Sequence, residues 1–137
     1  MFEGKITAHG PVIVVRRKLL VSKDNKDDFY KIPGGRPREG ETGEETCKRR
    51  VKEETGIEVE IVQELSTLRL DKNPMTEEDG EIELHHYKAI PLSQPNGFKS
   101  YIYNGFEVAW LPIDEIKEGK YKIAPNIKFL ILKGELR

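Results

Sequence analysis

Apolar residues fall in short runs separated by polar turns, and their spacing changes along the chain. Val12 to Val15 and Leu19 to Val21 are aliphatic runs parted by Arg16-Arg17-Lys18, a pattern that predicts two paired strands. Phe29 to Ile32 reads as another short strand, stopped by Pro33-Gly34-Gly35. The polar segment Thr42 to Thr55 ends at Gly56, which suits the residue after a helix, so it predicts the first helix. Ile57 to Leu70 reads as extended, with Val59, Ile61 and Leu65 on alternate positions, followed by a polar loop from Asp71 to Gly80. Ile82, Leu84 and His86 then alternate with Glu81, Glu83 and His85, the signature of a half-buried strand running toward Ile90. Pro95-Asn96-Gly97 and Asn104-Gly105 are turn signals flanking Phe98 to Tyr103, and Phe106 to Leu111 is one more strand. Asn126 to Leu136 places Ile127, Leu130, Ile131 and Leu132 at helical spacing. Hairpins and crossovers together predict an α/β fold with a mixed sheet.

Composition narrows the class without naming a function. The chain has 137 residues, the size of one domain over 1–137, and I-, L- and V-rich runs enough for a core without staples. The 23 Lys and Arg nearly cancel the 24 Asp and Glu, so no overall basic field points to a nucleic-acid polymer. The lone Cys47 excludes an internal disulfide and fits a reducing compartment; on the apolar side of its helix it reads as a small core residue. No stretch reaches the ~20 apolar residues of a membrane helix, and the run from Pro11 is too short for a signal peptide. The expectation is a cytoplasmic protein, monomer or homodimer, with a small-molecule partner.

The first helix is unusual for a packing element. Cys47 and Val51 are its only clearly apolar residues, among Glu44, Glu45, Glu53, Glu54, Lys48, Arg49, Arg50 and Lys52. The composition alone equally suits a solvated helix laced with i,i+4 ion pairs. The spacing adds more. Gly35, Glu41, Arg49, Val51, Glu53, Glu54, Gly56 and Ile57 satisfy eight of the nine defined positions of the 23-residue Nudix box. The sequence therefore resembles the Nudix hydrolase family, more loosely also at Pro33-Gly34 and at Trp110-Leu111-Pro112-Ile113-Asp114-Glu115.

That resemblance implies an α/β/α sandwich with the box helix on one side of the sheet and the last helix on the other. It implies a pyrophosphohydrolase of nucleoside di- or triphosphate derivatives, MutT-like or ADP-ribose-cleaving, that uses Mg²⁺ or Mn²⁺. Glu53 and Glu54 would hold the metal, joined by the Gly34 carbonyl, with Glu53 also catalytic. Arg49 would orient the box carboxylates, Glu41 first, and Gly35 would shape the substrate loop. A glycine pair suits a sharp turn and close approach to a ligand, and grouped carboxylates suit a hard divalent ion that polarises a phosphoryl oxygen and activates water.

Arg50 departs from the box, which has Glu there. At i+3 and i+4 from Glu53 and Glu54 it can pair with both and repel a divalent ion, and an arginine cannot act as general base. Either the base comes from elsewhere, or turnover is poor, or the chain binds nucleotides without cleaving them. Replacement candidates are Glu77, Glu78 and Asp79 in the loop, Glu81 and Glu83 on the next strand, and Glu107, which resembles a family carboxylate ahead of the tryptophan; each is equally an ordinary solvated acid. His85 and His86, adjacent on a strand, face opposite ways and cannot share one metal.

For the substrate, Pro74 lies near a proline of ADP-ribose-cleaving relatives. Asn126 in Ala124-Pro125-Asn126 is similar to the base-reading asparagine of MutT-like enzymes, or is a helix N-cap. Trp110, Tyr87, Tyr101, Tyr103 and Phe106 offer stacking surfaces or core, and the Arg16-Arg17-Lys18 turn either touches phosphates or is a solvated hairpin.

Overall fold

A computed structural model describes residues 5–72, 79–93 and 97–136. In chain order the elements are β1 (Lys5–Val15), β2 (Lys18–Asp24), α1 (Gly43–Thr55), β3 (Val59–Glu64), β4 (Leu68–Lys72), β5 (Asp79–Pro91), β6 (Tyr101–Tyr103), β7 (Phe106–Pro112), α2 (Ile113–Lys117) and α3 (Pro125–Leu132). The strands form one mixed sheet in the order β3-β5-β1-β2-β7-β6, and β4 lies beside β3 on the same flank of β5. Among the strands of the described residues only the β1–β5 pairing is parallel, from Lys5 opposite Glu81 to Ile13 opposite Ala89; the other strand pairs run antiparallel.

Alternation along the strands splits the core into two layers. Val12, Leu19, Val21, Ala109 and Leu111 face Ile113 and Ile116 of α2 and Ile127 and Leu130 of α3. Ile13, Leu20, Ala89, Val108 and Trp110 face Val51 of α1. Neighbouring residues on a strand point to opposite faces, so each of these strands feeds both layers, and the sheet lies between α1 and the α2–α3 pair. No helix among the described residues is long and apolar enough to cross a membrane.

Local chemistry sets the limits of α1. Thr42, the N-cap, accepts the Glu45 backbone N–H at 3.1 Å, and the Glu45 carboxylate accepts the Thr42 N–H at 2.9 Å, a reciprocal capping box. Gly56 closes the helix in the left-handed region at φ 78°, where glycine pays no Cβ penalty.

The structure corrects several expectations. Phe29 to Ile32 is no strand: Tyr30 and Lys31 make isolated bridges to Ile123 and Ser22. The extended run beyond Ile57 is two strands, broken where Leu65 and Ser66 turn to bond His86. The loop expected from Asp71 begins and ends inside β4 and β5, and of Phe98 to Tyr103 only the last three residues form a strand. Helix α2, directly after Pro112, has no apolar repeat long enough to announce it. Helix α3 starts at Pro125 with Ala124 as its N-cap, so Asn126 is not the cap. Glu77, Glu78, Pro74 and the Pro95-Asn96 turn signal lie outside the described residues.

Candidate functional site

The buried residues of α1 are Thr46, Cys47, Val51, Glu54 and Thr55; along Cys47, Val51 and Glu54, spaced four and three residues apart, the helix carries a carboxylate where a third apolar residue would stand. Glu54 is 3 % exposed. Burial pushes its carboxyl above the usual range. Its oxygens are satisfied nonetheless: Oε1 accepts from the Ser22 hydroxyl at 2.8 Å, and Oε2 accepts from the Gly34 N–H at 3.2 Å and from Arg50 Nη2 at 2.8 Å. Ser22 stands on the Leu20 side of β2, facing α1.

The loop before α1 is laid against β1. His9 and Gly35 exchange both backbone hydrogen bonds, at 2.9 and 3.1 Å. The two glycines are required by close approach rather than by a turn, since neither adopts positive φ. A Cβ on Gly34 would lie 2.5 Å from the His9 carbonyl oxygen, and one on Gly35 would lie 2.6 Å from Arg50 Nε.

Arg50 points inward. Its Nε donates to the Gly34 carbonyl at 3.1 Å, Nη1 approaches Glu53 Oε1 at 3.4 Å, and Nη2 donates to Glu54. These are the three oxygens that the family resemblance assigns to a metal. Arg49 grips Glu41 through two parallel bonds, Nε to Oε2 at 2.8 Å and Nη2 to Oε1 at 3.0 Å, and its Nη1 reaches Glu53 at 3.0 Å. The Arg38 N–H and the Thr46 hydroxyl also donate to Glu41. The bonds from Arg49, above all, hold the Glu41 carboxyl down at about 2.

The other candidates lie elsewhere. Glu107 is placed by β7 on the face opposite Val108 and Trp110, and so opposite α1, where it pairs with Lys23 at 3.1 Å; the strand's alternation carries it away from the box. Glu83 is held by Lys5 at 2.6 Å, His85 and Arg69. Among the described residues, none of Asp79, Glu81, Glu83 or Glu107 hydrogen-bonds or pairs with Gly34, Glu53 or Glu54. Trp110 and Tyr87 are core, and Tyr101 and Tyr103 stand at the C-terminal end of α1. Arg17 pairs with Asp114 on the surface. Cys47 is fully buried, which raises its thiol far above the range where it ionises.

His85 and His86 do face opposite ways. His85 stacks on His9 with ring centroids 4.9 Å apart. His86, 2 % exposed, donates Nδ1–H to the Ser66 carbonyl at 2.8 Å, because a carbonyl can only accept. Burial lowers its pKa and keeps it neutral. Nε2 is then an acceptor, so Asn126 must present its amide nitrogen there, at 3.1 Å. The Asn126 carbonyl is thereby turned away from His86. A cavity of about 380 Å³ lies alongside, lined by Gly34 and Gly35, Phe29, Lys31, His9 and Asn126 among others.

Sequence reasoning missed Ser22, Arg38, Thr46 and His9. Ser22 would have shown itself as a polar residue in phase with Leu20 had the second strand been extended beyond Val21. Thr46 and the Arg38 N–H reach Glu41 from three to five residues away, as polar neighbours of the box with no pattern of their own, whereas His9 meets Gly35 and Tyr87 only across the fold.

A family model described as NUDIX domain matches residues 5–130. Among solved structures, a NUDIX hydrolase from Nitrosomonas europaea superposes with a TM-score of 0.74 at 20 % identity, covering 96 % of this chain and 90 % of that one. A mutator MutT protein from Bacillus halodurans gives 0.69 at 22 % identity over 91 % and 78 %. A MutT NUDIX hydrolase from Burkholderia pseudomallei gives 0.63 at 19 % over 80 % and 84 %. No curated protein matches the sequence.

Proposed function

This chain belongs to the NUDIX domain family, and from that premise we propose that it is a Nudix pyrophosphohydrolase acting on a nucleoside di- or triphosphate derivative. The observation that supports it most directly is a shared rim: the Gly34–Gly35 loop, tied to Glu54 and Arg50 on one side, lines the cavity of about 380 Å³ on the other. That volume suits a small ligand. In this reading the nucleoside enters the cavity and the phosphates lie along the loop. Asn126, oriented by neutral His86, offers its carbonyl to a donor on the base edge. Arg49 holds Glu41 and Glu53 in place.

The divalent ion implied by the family does not fit the cluster as folded. Such an ion needs an oxygen set with excess negative charge. Here the guanidinium groups of Arg38, Arg49 and Arg50 balance the carboxylates of Glu41, Glu53 and Glu54 one for one, and Arg50 engages the whole expected donor set. Arg50 cannot accept a proton from water either. The same observation favours a second reading, a Nudix-fold protein that binds nucleotides with little or no turnover.

Product release from nucleoside triphosphates, ADP-ribose and sugar nucleotides, with Mg²⁺ or Mn²⁺ present, separates the two. Cleavage of one compound, abolished in Glu53→Gln, supports the enzyme. Saturable binding without cleavage supports the second reading, and neither binding nor cleavage by folded protein rejects both.

A further inference from the structure

Arg50 has the environment of a bound cation. Each of its three nitrogens is directed to a different oxygen-bearing group: the Gly34 carbonyl, Glu53 and Glu54. The partners come from two elements, the loop and two successive positions of α1, which is how a bridging ion would tie loop to helix. The fit is steric as well as electrostatic. The loop passes so close that a Cβ on Gly35 would lie 2.6 Å from Arg50 Nε and 3.2 Å from Cδ and Cζ, so a side chain there would displace the guanidinium from this seat. The nearby charges already sum to zero, and adding a divalent ion would leave the cluster with two uncompensated positive charges. Displacing Arg50 would also strip the nearly buried Glu54 of its only ion-pair partner among the described residues. A guanidinium has five N–H donors; three bonds to the protein are formed here, and the side chain is 30 % exposed.

We propose that Arg50 is a resident cation that stands in place of a divalent ion at Gly34, Glu53 and Glu54, so that the wild-type chain holds no tight divalent ion there and binds nucleotide phosphates without one. The first half stands on the geometry alone; the second rests on the nucleotide-binding reading given above. A fixed guanidinium offers the charge and the donors that phosphate oxygens need, without the exchange of ligands that an ion undergoes.

The test uses the whole protein and two probes. Mn²⁺ titration followed by the electron paramagnetic resonance of the free ion should show no tight site in wild type. Arg50→Glu should create one, because the exchange removes a positive charge and adds an oxygen donor, and Glu54→Gln in that background should remove it. A tight wild-type site lost in Glu54→Gln would overturn the proposal. Thermal melting accompanies both: Arg50→Glu should be destabilised in EDTA and recover with Mn²⁺, while wild type should not respond. ATP binding by wild type, measured by calorimetry in EDTA and in Mg²⁺, should give the same affinity. Binding that collapses in EDTA overturns the second half. No ATP binding in either buffer, with the Mn²⁺ result as expected, rejects the nucleotide reading for ATP and leaves the resident cation established.

Discussion

Glu54 is the residue on which the site turns, because it is buried as a side chain and charged as a group. Three hydrogen bonds offset its desolvation, and one of them, from Arg50, supplies opposite charge. Arg50→Gln should therefore destabilise the fold by about 2 kcal/mol at neutral pH, read by urea unfolding. The loss should shrink toward acid pH: the Glu54 carboxyl already sits above its ordinary value and rises further without Arg50, so the variant's folded state takes up the proton first and the buried charge disappears. Glu41 behaves in the opposite sense. Its pKa is held down at about 2, so the unfolded chain binds the proton more readily, and the stability Glu41 provides is present above its unfolded value near 4.5 and lost as pH falls toward 2. Glu41→Gln should flatten the acid limb of the unfolding curve, and an unchanged limb would show that the Arg49 pair does not matter there. Gly35→Ala is a steric probe of the same cluster. The methyl overlaps Arg50 Nε, and overpacking of this kind costs about 1–3 kcal/mol; a variant as stable as wild type would mean that Arg50 yields easily.

At the scale of elements, α1 is held at both ends. The capping box at Thr42 and Glu45 secures the start, and at the other end Asn104 Nδ2 donates to the Glu53 carbonyl at 2.8 Å while the Tyr101 hydroxyl donates to that of Thr55 at 2.6 Å. Thr42→Ala should cost about 1 kcal/mol. It should leave the contacts of Arg50, two turns further on, intact; a Mn²⁺ site appearing in Thr42→Ala would contradict that separation. This helix was legible in the sequence because its signals are local: a capping threonine, a closing glycine, and carboxylates at fixed offsets. The hairpin at Arg16-Arg17 and the strand through Ile82, Leu84 and His86 were legible for the same reason, period and punctuation. What was not legible depends on partners far along the chain. The break near Leu65 exists because β5 offers the His86 carbonyl and imidazole there. Glu107 looked like a site residue by its distance from Trp110, yet only its register on β7 decides which face it occupies. For Arg50 the sequence left the direction open, and the loop's path over Gly35 decides it.

For the molecule as a whole, the cavity is assembled from the two ends of the chain: Ala8 to Gly10 of β1 form one wall and Ala124 to Asn126 at the start of α3 form another. Strand β1 owes most of its pairing to β5, beginning with Lys5 opposite Glu81, and meets its nearer neighbour β2 only at Val14 and Val15. Loop closure over such a span must be met before the contacts repay it, which slows folding relative to a fold built on local contacts. During synthesis, then, β1 emerges with most of its backbone groups lacking the strand they will join, and stays so until β5 has been made. Released chains ending before residue 79 should leave the amides of β1 that bond β5 open to hydrogen exchange, and the full chain should close them. The cavity is thus a late product of folding, complete only after the start of α3 has docked against β1 and β5.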